Sequence, residues 1–369
     1  MPVKKVYLEL TSKCNLNCTM CYRRAWRHLT EDMSEEVLDK SLEQIKALPS
    51  VKEVVIGGIG EPLYHPAVGR VMRELKDKYL MLTTNGTIMN GSLAKSIVEC
   101  VDHVVVSVDG LSDTFYSIRQ FPLEKVIENV RLLNEVKAGS TDKTSASVSQ
   151  YEATMLDKYR ERGADIPPML SFQMVLSKAN RDEVFGVVDL ASSLNVSQVI
   201  LSNILPASND AADLILYKLH GNEELNAFFH RIRNYAHKAG IVVLFPAYEL
   251  KTERRCRFVE GQTVMITASG DVAPCYRLAH DGNEIVFGRE KDVFAHSFGS
   301  IMEKRLNEIW ESAPYTNYRM AVYNNRYPSC PDCDLIDGCD MVATTEVDCY
   351  GYMPTCADCL WSRRLIYCV

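Results

Sequence analysis

The 369-residue chain lacks the features that would direct it to a membrane or to nucleic acid. No apolar run reaches the roughly 18–20 residues that a membrane-spanning helix needs. Positive charge is not in excess: 48 acidic residues outnumber 41 basic ones and the formal net charge is −7, which gives no whole-molecule attraction to nucleic acid or to an anionic membrane. The opening sequence, MPVKKVYLEL, contains no apolar signal-peptide core. We therefore expect a cytoplasmic protein with no nucleic-acid partner and no membrane partner.

Cysteine, in contrast, is abundant and unevenly placed. Of the 13 cysteines, three lie within residues 14–21, nine lie from 256 to 368, and only Cys100 stands between. In a reducing compartment, clustered cysteines more often bind metal or carry out redox chemistry than form disulfides. Cys100 is expected to be a small buried hydrophobe on a helix. The two clusters therefore predict metal or redox sites near both ends of the chain.

Residues 3–206 alternate short apolar runs with longer amphipathic ones, a pattern that predicts parallel βα units with functional groups at the carboxyl ends of the strands. Six units would form an α/β fold, a partial (β/α)6 TIM-like barrel open on one side. We expect this barrel over residues 1–215, a connecting segment over 216–255 and a cysteine-rich domain over 256–369. The predicted strands are Lys5–Leu10, Glu53–Gly57, Tyr79–Thr83, His103–Val108, Met169–Leu176 and Gln198–Leu201. The predicted helices include Glu35–Ala47, Ala67–Lys78, Gly91–Cys100 and Leu123–Val136.

Two further stretches complete this organisation. The less regular residues 137–168, with a candidate helix at Tyr151–Gly163, are predicted to be an insertion at the barrel rim that acts as a lid or a contact surface. After residue 206, a helix at Glu223–Ala239 and a short strand at Ile241–Phe245 are expected before the cysteine-rich region begins.

Three cysteines with C-x3-C-x2-C spacing, Cys14, Cys18 and Cys21, follow the first predicted strand. Three thiolates can hold three irons of a 4Fe–4S cube and leave the fourth iron open to a ligand. A zinc site is the alternative, but it usually needs four ligands and only His28 stands nearby. The spacing, with Tyr22 after the last cysteine, resembles the signature of the radical S-adenosylmethionine (SAM) superfamily. The resemblance implies that SAM binds the open iron and that an electron from the reduced cluster cleaves it to methionine and a 5′-deoxyadenosyl radical.

Further segments at the predicted strand ends strengthen this resemblance. The sequence GGIGEP at Gly57–Pro62 resembles the family element that binds the SAM amino group, and Thr83–Gly86 resembles a common family turn. Ser107–Gly110 matches a segment that faces the ribose or the SAM carboxylate. The residues that the resemblance implies in SAM binding are Gly58, Gly60, Glu61, Ser107, Asp109, Arg119, Asn180 and Asn203. No catalytic base is evident: Asp340, Asp348 and Tyr22 stand near predicted clusters, but capping or surface roles explain them as well.

The C-terminal cysteines resemble the SPASM domain, which typically holds two auxiliary 4Fe–4S clusters. The implied ligands are Cys256, Cys275, Cys330, Cys333, Cys339, Cys349, Cys356 and Cys359, with Cys368 as the spare. We expect Cys256, Cys275, Cys349 and Cys356 around one cluster and Cys330, Cys333, Cys339 and Cys359 around the other. The spacing after Cys339 departs from the family pattern, and structural zinc stays an alternative for the C-x2-C pairs. The expected cofactors are therefore three 4Fe–4S clusters and SAM.

Segments of the tail are similar to the tungsten-cofactor oxidoreductase maturases. These segments are Phe287–Lys291, Ser297–Gly299, Glu308–Trp310, Asp348–Gly351 and Cys356–Arg363. The similarity implies an oxygen-sensitive enzyme that abstracts hydrogen from a protein, peptide or pterin-type substrate in the maturation of a tungstopterin aldehyde oxidoreductase. A low-potential electron donor such as ferredoxin or flavodoxin is implied as a partner.

Two alternatives remain. One is an enzyme that forms thioether or carbon–carbon crosslinks in ribosomal peptides, although a first strand near residue 5 leaves no room for the usual N-terminal recognition domain. The other is a non-catalytic iron–sulfur electron-transfer protein, which would not need an open iron beside a SAM pocket. The basic stretches Arg23–His28 and Lys251–Arg257 stand out in an acidic chain. Arginine suits phosphate and carboxylate groups, so Arg23, Arg24 and Arg27 are a hypothetical attraction site for an anionic substrate.

Overall fold

The structure, a computed structural model, describes residues 1–28, 30–140 and 168–367. Its main feature is a nine-stranded sheet with the order β7-β6-β5-β4-β3-β2-β1-β8-β9. Strands β1 to β8 are parallel to their neighbours, whereas β9 is antiparallel to β8. The strands are β1 Lys5–Glu9, β2 Glu53–Gly57, β3 Tyr79–Thr84, β4 His103–Ser107, β5 Met169–Leu176, β6 Gln198–Asn203, β7 Val242–Leu244, β8 Thr263–Ile266 and β9 Val272–Ala273. Because β7 and β9 form the two edges, the barrel is partial and open, as the sequence predicts.

Helices alternate with these strands. They are α1 Glu35–Lys46, α2 Val68–Glu74, α3 Gly91–Cys100, α4 Ser112–Arg119, α5 Leu123–Ser140, α6 Val184–Ser193, α7 Asn209–Ala212, α8 Glu223–Lys238, α9 Arg257–Glu260, α10 Leu306–Glu311 and α11 Ala313–Tyr323. Helix α5 continues four residues beyond its predicted end. The predicted insertion and its candidate helix at Tyr151–Gly163 lie outside the described residues.

The two faces of the sheet form two apolar clusters, because successive strand residues point in opposite directions. The outward face, including Leu8, Ile56 and Val104, packs under the helices in the large core. The inward face supplies a smaller cluster, including Tyr7 and Val105. Polar residues replace apolar ones toward the carboxyl ends of the inward face, which places the candidate site at that end.

The sheet extends past the six strands that the sequence predicts. Strand β7 lies within the predicted segment after residue 240, but β8 comes from the cysteine-rich region and pairs with β1 from Lys5 to Leu8. The four residues of β8 are all buried. The C-terminal region is therefore joined to the barrel through a shared sheet, at a position that the sequence pattern did not predict.

The rest of the C-terminal region surrounds a hairpin of β10 Gly282–Val286 and β11 Arg289–Val293. Its two turn residues, Phe287 and Gly288, have φ angles of 47° and 83°, the left-handed pair that a tight two-residue hairpin requires. Helices α10 and α11 follow, and the remaining described chain is mostly turns.

Candidate functional site

The first cysteine loop leaves the carboxyl end of β1 and is held at both ends by the main chain. The amide of Ser12 donates to Glu31 O at 2.9 Å, and the amide of Thr19 donates to Ile118 O at 2.8 Å. All three thiols of the loop are partly buried. Burial raises the pKa of Cys18 to about 11, and the nearby charge of Arg119 offsets part of that rise. An iron atom would displace the thiol proton, because the thiolate is the metal ligand.

Gly60 brings the glycine-rich segment after β2 against this loop. A Cβ at Gly60 would lie 2.2 Å from the carbonyl oxygen of Thr11 and 2.6 Å from that of Lys13. The next amide, of Glu61, donates to the same Lys13 oxygen at 2.8 Å. A Cβ at Gly58, which has a φ of 125°, would lie 2.9 Å from Cγ of the Glu9 side chain. The glycines therefore permit the contact between the two loops.

Glu61 links the β2 and β3 strand ends. Its buried carboxylate accepts hydrogen bonds from the Leu63 amide at 3.0 Å, the Thr84 hydroxyl at 2.8 Å and the Asn85 amide at 2.6 Å. Burial raises its pKa to about 7, against the opposing effect of these hydrogen bonds. The Asn85 side-chain amide lies 3.6 Å from Cys14 Sγ. Asn85 is thus a site residue absent from the predicted set, and the Thr-Thr-Asn-Gly turn was its sequence signal.

Asp109 and Arg119, both predicted SAM contacts, form a buried ion pair with a shortest distance of 2.5 Å. The second Asp109 oxygen accepts from the Val175 amide at 2.7 Å, and Asn180 donates to the Asp109 carbonyl at 2.9 Å. The pair lies close enough to Cys18 for its charges to act on that thiol. The structure therefore brings these residues beside the first cysteine loop. Ser107, at the end of β4, lies on the same inward face as Val105.

Asn203 lies at the end of β6 and ties the barrel to the chain's tail. Its amide donates to the carbonyls of Ala247 at 2.9 Å and Leu365 at 2.8 Å. Its own buried side-chain oxygen has no hydrogen-bond partner among the described residues. The adjacent Ser202 hydroxyl accepts from the Tyr367 amide at 3.0 Å. Asn203 and Ser202 thus join the carboxyl end of β6 to the tail.

The C-terminal cysteines divide into two groups. One cavity is lined by Cys256, Cys275, Cys356 and Cys359, here called the inner group. The Tyr318 hydroxyl lies 3.2 Å from Cys356 Sγ in its wall.

The outer group is Cys330, Cys333, Cys339 and Cys349. Burial and then the Asp358 charge raise the pKa of Cys330 to about 12, with smaller contributions from Cys349 and Cys339. Cys333 follows in a tight turn whose amide donates to Cys330 O at 3.1 Å. Cys333 and Cys349 are exposed.

This grouping differs from the expected division, since Cys349 and Cys359 exchange places. Sequence spacing misassigned them because Cys359 follows Cys356 in a turn, with its amide donating to Cys356 O at 3.2 Å, and so faces the same cavity. Cys368 lies outside the described residues. Cys100 is buried at the end of α3, as predicted.

The inner group suits an iron–sulfur cluster by the chemistry of its donors. Four thiols surround a cavity whose wall includes the aromatic rings of Phe258, Tyr276 and Trp361, and a four-iron cube takes four thiolates around such a space. In the described part of the chain, no three His, Cys, Asp or Glu side chains are arranged around a single-ion position.

The arginines beside the first loop do not form the free basic patch that the sequence suggested. Arg23 donates to Leu16 O at 2.9 Å and to Ser12 O at 3.3 Å. Arg27 pairs with Asp292 and donates to the Asn283 side chain at 2.9 Å. Both side chains are therefore engaged within the protein, and an anion-attracting role for this stretch stays a prediction.

A buried acid–histidine pair escaped sequence analysis. His280 Nε2 lies 3.0 Å from both Glu9 carboxylate oxygens, inside the end of the barrel. The Trp26 ring lies 4.0 Å from the His280 ring, centroid to centroid. Glu9 and His280 are 271 positions apart, so no local pattern could pair them. Among the sequence-predicted candidates for a base, Asp348 instead caps a turn: its carboxylate accepts hydrogen bonds from the amides of Tyr350 and Tyr352.

Comparison with known proteins gives matches at both ends of the chain. A family model described as the radical SAM superfamily matches residues 8–144. The SPASM model, described as an iron–sulfur cluster-binding domain, matches residues 256–334. No described helix is long and apolar enough to cross a membrane.

One curated relative spans nearly the whole chain. It is the tungsten-containing aldehyde ferredoxin oxidoreductase cofactor-modifying protein of Pyrococcus furiosus, 37% identical over 99% of this chain and 97% of the relative. Among solved structures, Streptococcus suis SuiB bound to S-adenosylmethionine covers 92% of this chain and 72% of its own, with a TM-score of 0.62 and 16% identity. SuiB bound to the precursor peptide SuiA covers 97% and 76%, with a TM-score of 0.61 and 15% identity. The solved structures show a shared fold.

Proposed function

The chain belongs to the radical SAM superfamily and carries a SPASM domain, and from this premise we propose that it matures a tungstopterin aldehyde oxidoreductase. It would cleave SAM reductively and use the 5′-deoxyadenosyl radical to abstract hydrogen from the cofactor, its precursor or the oxidoreductase itself. The observation that carries this proposal is the full-length similarity to a cofactor-modifying protein. The radical SAM and SPASM regions together imply 4Fe–4S clusters and SAM binding, and these are the cofactors that the proposed reaction requires.

Cys14, Cys18 and Cys21 are the proposed ligands of the SAM-cleaving cluster. With three thiolates as ligands, the fourth iron would be left free for the amino and carboxylate groups of SAM. The protein's part is to fix the loop, which it does through the Arg23 and Gly60 contacts. Asn85, 3.6 Å from Cys14 Sγ, would donate to that sulfur.

The predicted SAM contacts fall into two proposed roles. The backbone of Gly58 and Gly60, together with Ser107, would line the SAM pocket directly. Arg119, held by Asp109 beside Cys18, would place a positive charge near the SAM carboxylate. The second role is positioning. The Asn180 amide is fully engaged with main-chain groups, Glu61 joins two strand ends and Asn203 fastens the tail.

The SPASM region would hold two further clusters, which gives three in all. We propose the inner group and the outer group as their ligand sets, with residues 1–215 as the barrel, 216–255 as the connection and 256–369 as the SPASM domain. The boundary at residue 256 follows the sequence and does not separate two packing units, because β8 lies after it and pairs with β1 of the barrel. An auxiliary cluster would accept the electron that the substrate radical loses, and a ferredoxin or flavodoxin would supply the electron for SAM cleavage.

The test uses anaerobically purified protein with reconstituted iron and sulfide, dithionite and SAM. We expect 5′-deoxyadenosine, and more of it when a tungstopterin-containing aldehyde oxidoreductase from cells lacking this chain is added. The variant with Cys14, Cys18 and Cys21 all changed to Ala should form none. If the fully loaded protein never cleaves SAM, the chain is an electron-transfer protein instead. If a ribosomal precursor peptide stimulates cleavage and the oxidoreductase does not, the substrate class is peptide.

A further inference from the structure

Four buried charged side chains form a network beside the inner cysteine group. Arg277 donates hydrogen bonds to the Glu284 carboxylate from Nε, at 3.2 Å, and from Nη2. Its Nη2 also lies 2.9 Å from Asp358, whose other oxygen is 2.6 Å from Lys291. Each of these side chains is at most 4% exposed. The two cations and two anions balance, so burial leaves no net charge in the network.

One donor of this network has no partner. The Nη1 atom of Arg277 is buried and unpaired among the described residues, while Nε and Nη2 are both engaged. Arg277 also lines the cavity of the inner group, two residues after Cys275. A buried, unpaired guanidinium N–H is costly unless an acceptor reaches it. The two hydrogen bonds to Glu284 fix the position of the guanidinium group. An acceptor for Nη1 would therefore have to be a group that binds beside it.

We propose that Arg277 donates its Nη1–H to a sulfur of the cluster held by the inner group and thereby raises that cluster's reduction potential. The inference rests on the proposed function, because it needs the inner group to hold a cluster. A one-electron reduction adds negative charge to the cluster, and a hydrogen bond to a sulfur stabilises that charge. Arg277 would therefore make the inner cluster a better acceptor of an electron from a substrate radical. The outer group would gain no such bond, because none of its cysteines lines the cavity that Arg277 lines. The network charges that act on Cys330, those of Asp358 and Lys291, also oppose each other.

The test measures reduction potentials by electron paramagnetic resonance in protein whose Cys14, Cys18 and Cys21 are Ala, so that only the C-terminal clusters contribute. Changing Arg277→Gln alone would leave Glu284 buried without its partner, which can unfold the region. The double variant Arg277→Gln/Glu284→Gln removes both charges and keeps Asp358 paired with Lys291. Arg363→Gln is the matched control: Arg363 is 1% exposed and its charge acts on Cys359, but it lies outside the cavity lining.

We expect the double variant to lower the reduction potential of one cluster by about 59 mV. For a one-electron couple, this shift lowers the reduced-to-oxidised ratio about tenfold at a fixed solution potential. The signal that moves should be the one that Cys275→Ala alters and Cys333→Ala does not. The control should move it by less than half as much. The inference is overturned if no potential changes, if both change equally, if the control matches the double variant, or if the variant simply loses one cluster's iron. A parent protein with no C-terminal iron would instead refute the proposed function, and this inference with it.

Discussion

At the scale of single residues, the barrel separates a structural end from a functional end. His103, at the amino end of β4, lies far along the strand from Ser107 and donates to or accepts from the Ser171 hydroxyl at 2.7 Å. It is 4% exposed. Burial, and then the Lys5 charge, lower its pKa to about 4. His103 is thus neutral in the folded protein and belongs to the interior of the barrel rather than to its chemistry.

This pKa predicts a pH dependence of stability. The unfolded chain binds a proton at His103 near the ordinary pKa of 6.5 and the folded chain binds it only near pH 4, so stability is lost as pH falls between these values. From pH 7.5 to 5.5 the wild type should lose about 1 kcal/mol more free energy of unfolding than His103→Gln. Urea unfolding of both proteins at the two pH values measures this difference. Equal losses would show that His103 is not buried as neutral imidazole.

Arg23 supports the first cysteine loop, and a neighbour provides its control. Arg23→Gln removes the hydrogen bonds to Leu16 O and Ser12 O, so we expect SAM cleavage to fall about tenfold together with substrate modification. Loss of one charge-assisted hydrogen bond costs roughly 1.5–3 kcal/mol. Arg24→Gln changes an exposed side chain and should leave both rates unchanged. A loss confined to substrate modification would instead support the predicted anion-attracting role of this stretch.

At the scale of elements, the loops after β1, β2 and β3 form one interlocked unit. Gly60 is its tightest point, since a methyl group there would overlap main-chain oxygens that cannot move without the loop. We expect Gly60→Ala to lower bound iron by one cluster and to abolish 5′-deoxyadenosine formation, while the C-terminal clusters remain. Iron analysis and the cleavage assay measure both effects. Gly91→Ala, at the first residue of α3 with open space around it, is the matched control and should behave as wild type. Normal iron loading in Gly60→Ala would contradict this packing.

How far the sequence predicts these elements depends on how local the information is. The strand before the first cysteines and the strands at 53–57, 79–84 and 103–107 are predicted within one or two residues, because apolar alternation is a local property. Strand β8 is missed because four residues give too short a pattern. The grouping of Cys349 and Cys359 and the Glu9–His280 pair are missed because they depend on contacts between distant segments. Spacing indicates candidate metal ligands, but it does not show which of these cysteines lie together in the fold.

At the scale of the whole molecule, the two cysteine regions are joined by packing. Tyr22, directly after Cys21, is buried and its ring lies 6.5 Å from that of Trp361, centroid to centroid. Burial raises the pKa of the Tyr22 hydroxyl, and the charges of Glu284, Arg277 and Cys275, all in the C-terminal region, also act on it. With β8 paired to β1, the barrel and the C-terminal region share both a sheet and an aromatic contact. Because Trp361 also lines the cavity of the inner group, the first cysteine loop and the wall of that cavity lie in one packed region.

Shared packing does not require shared metal loading, because the walls of the inner group come from the C-terminal region itself. Changing Cys14, Cys18 and Cys21 to Ala should remove SAM cleavage and leave the C-terminal clusters in place. The ultraviolet–visible spectrum and the electron paramagnetic resonance signals of the reduced variant measure what is retained. Loss of all iron would show that the chain folds as one metal-dependent unit.

We propose that three separate cysteine groups each hold a four-iron cluster. Iron, sulfide and zinc analysis of the anaerobically reconstituted protein tests this proposal. We predict about 12 iron and 12 sulfide per chain, from three cubes of four irons, falling to about 8 of each in the variant that lacks the first three cysteines. Stoichiometric zinc with only about 4 iron would show instead that the C-terminal groups are structural zinc sites.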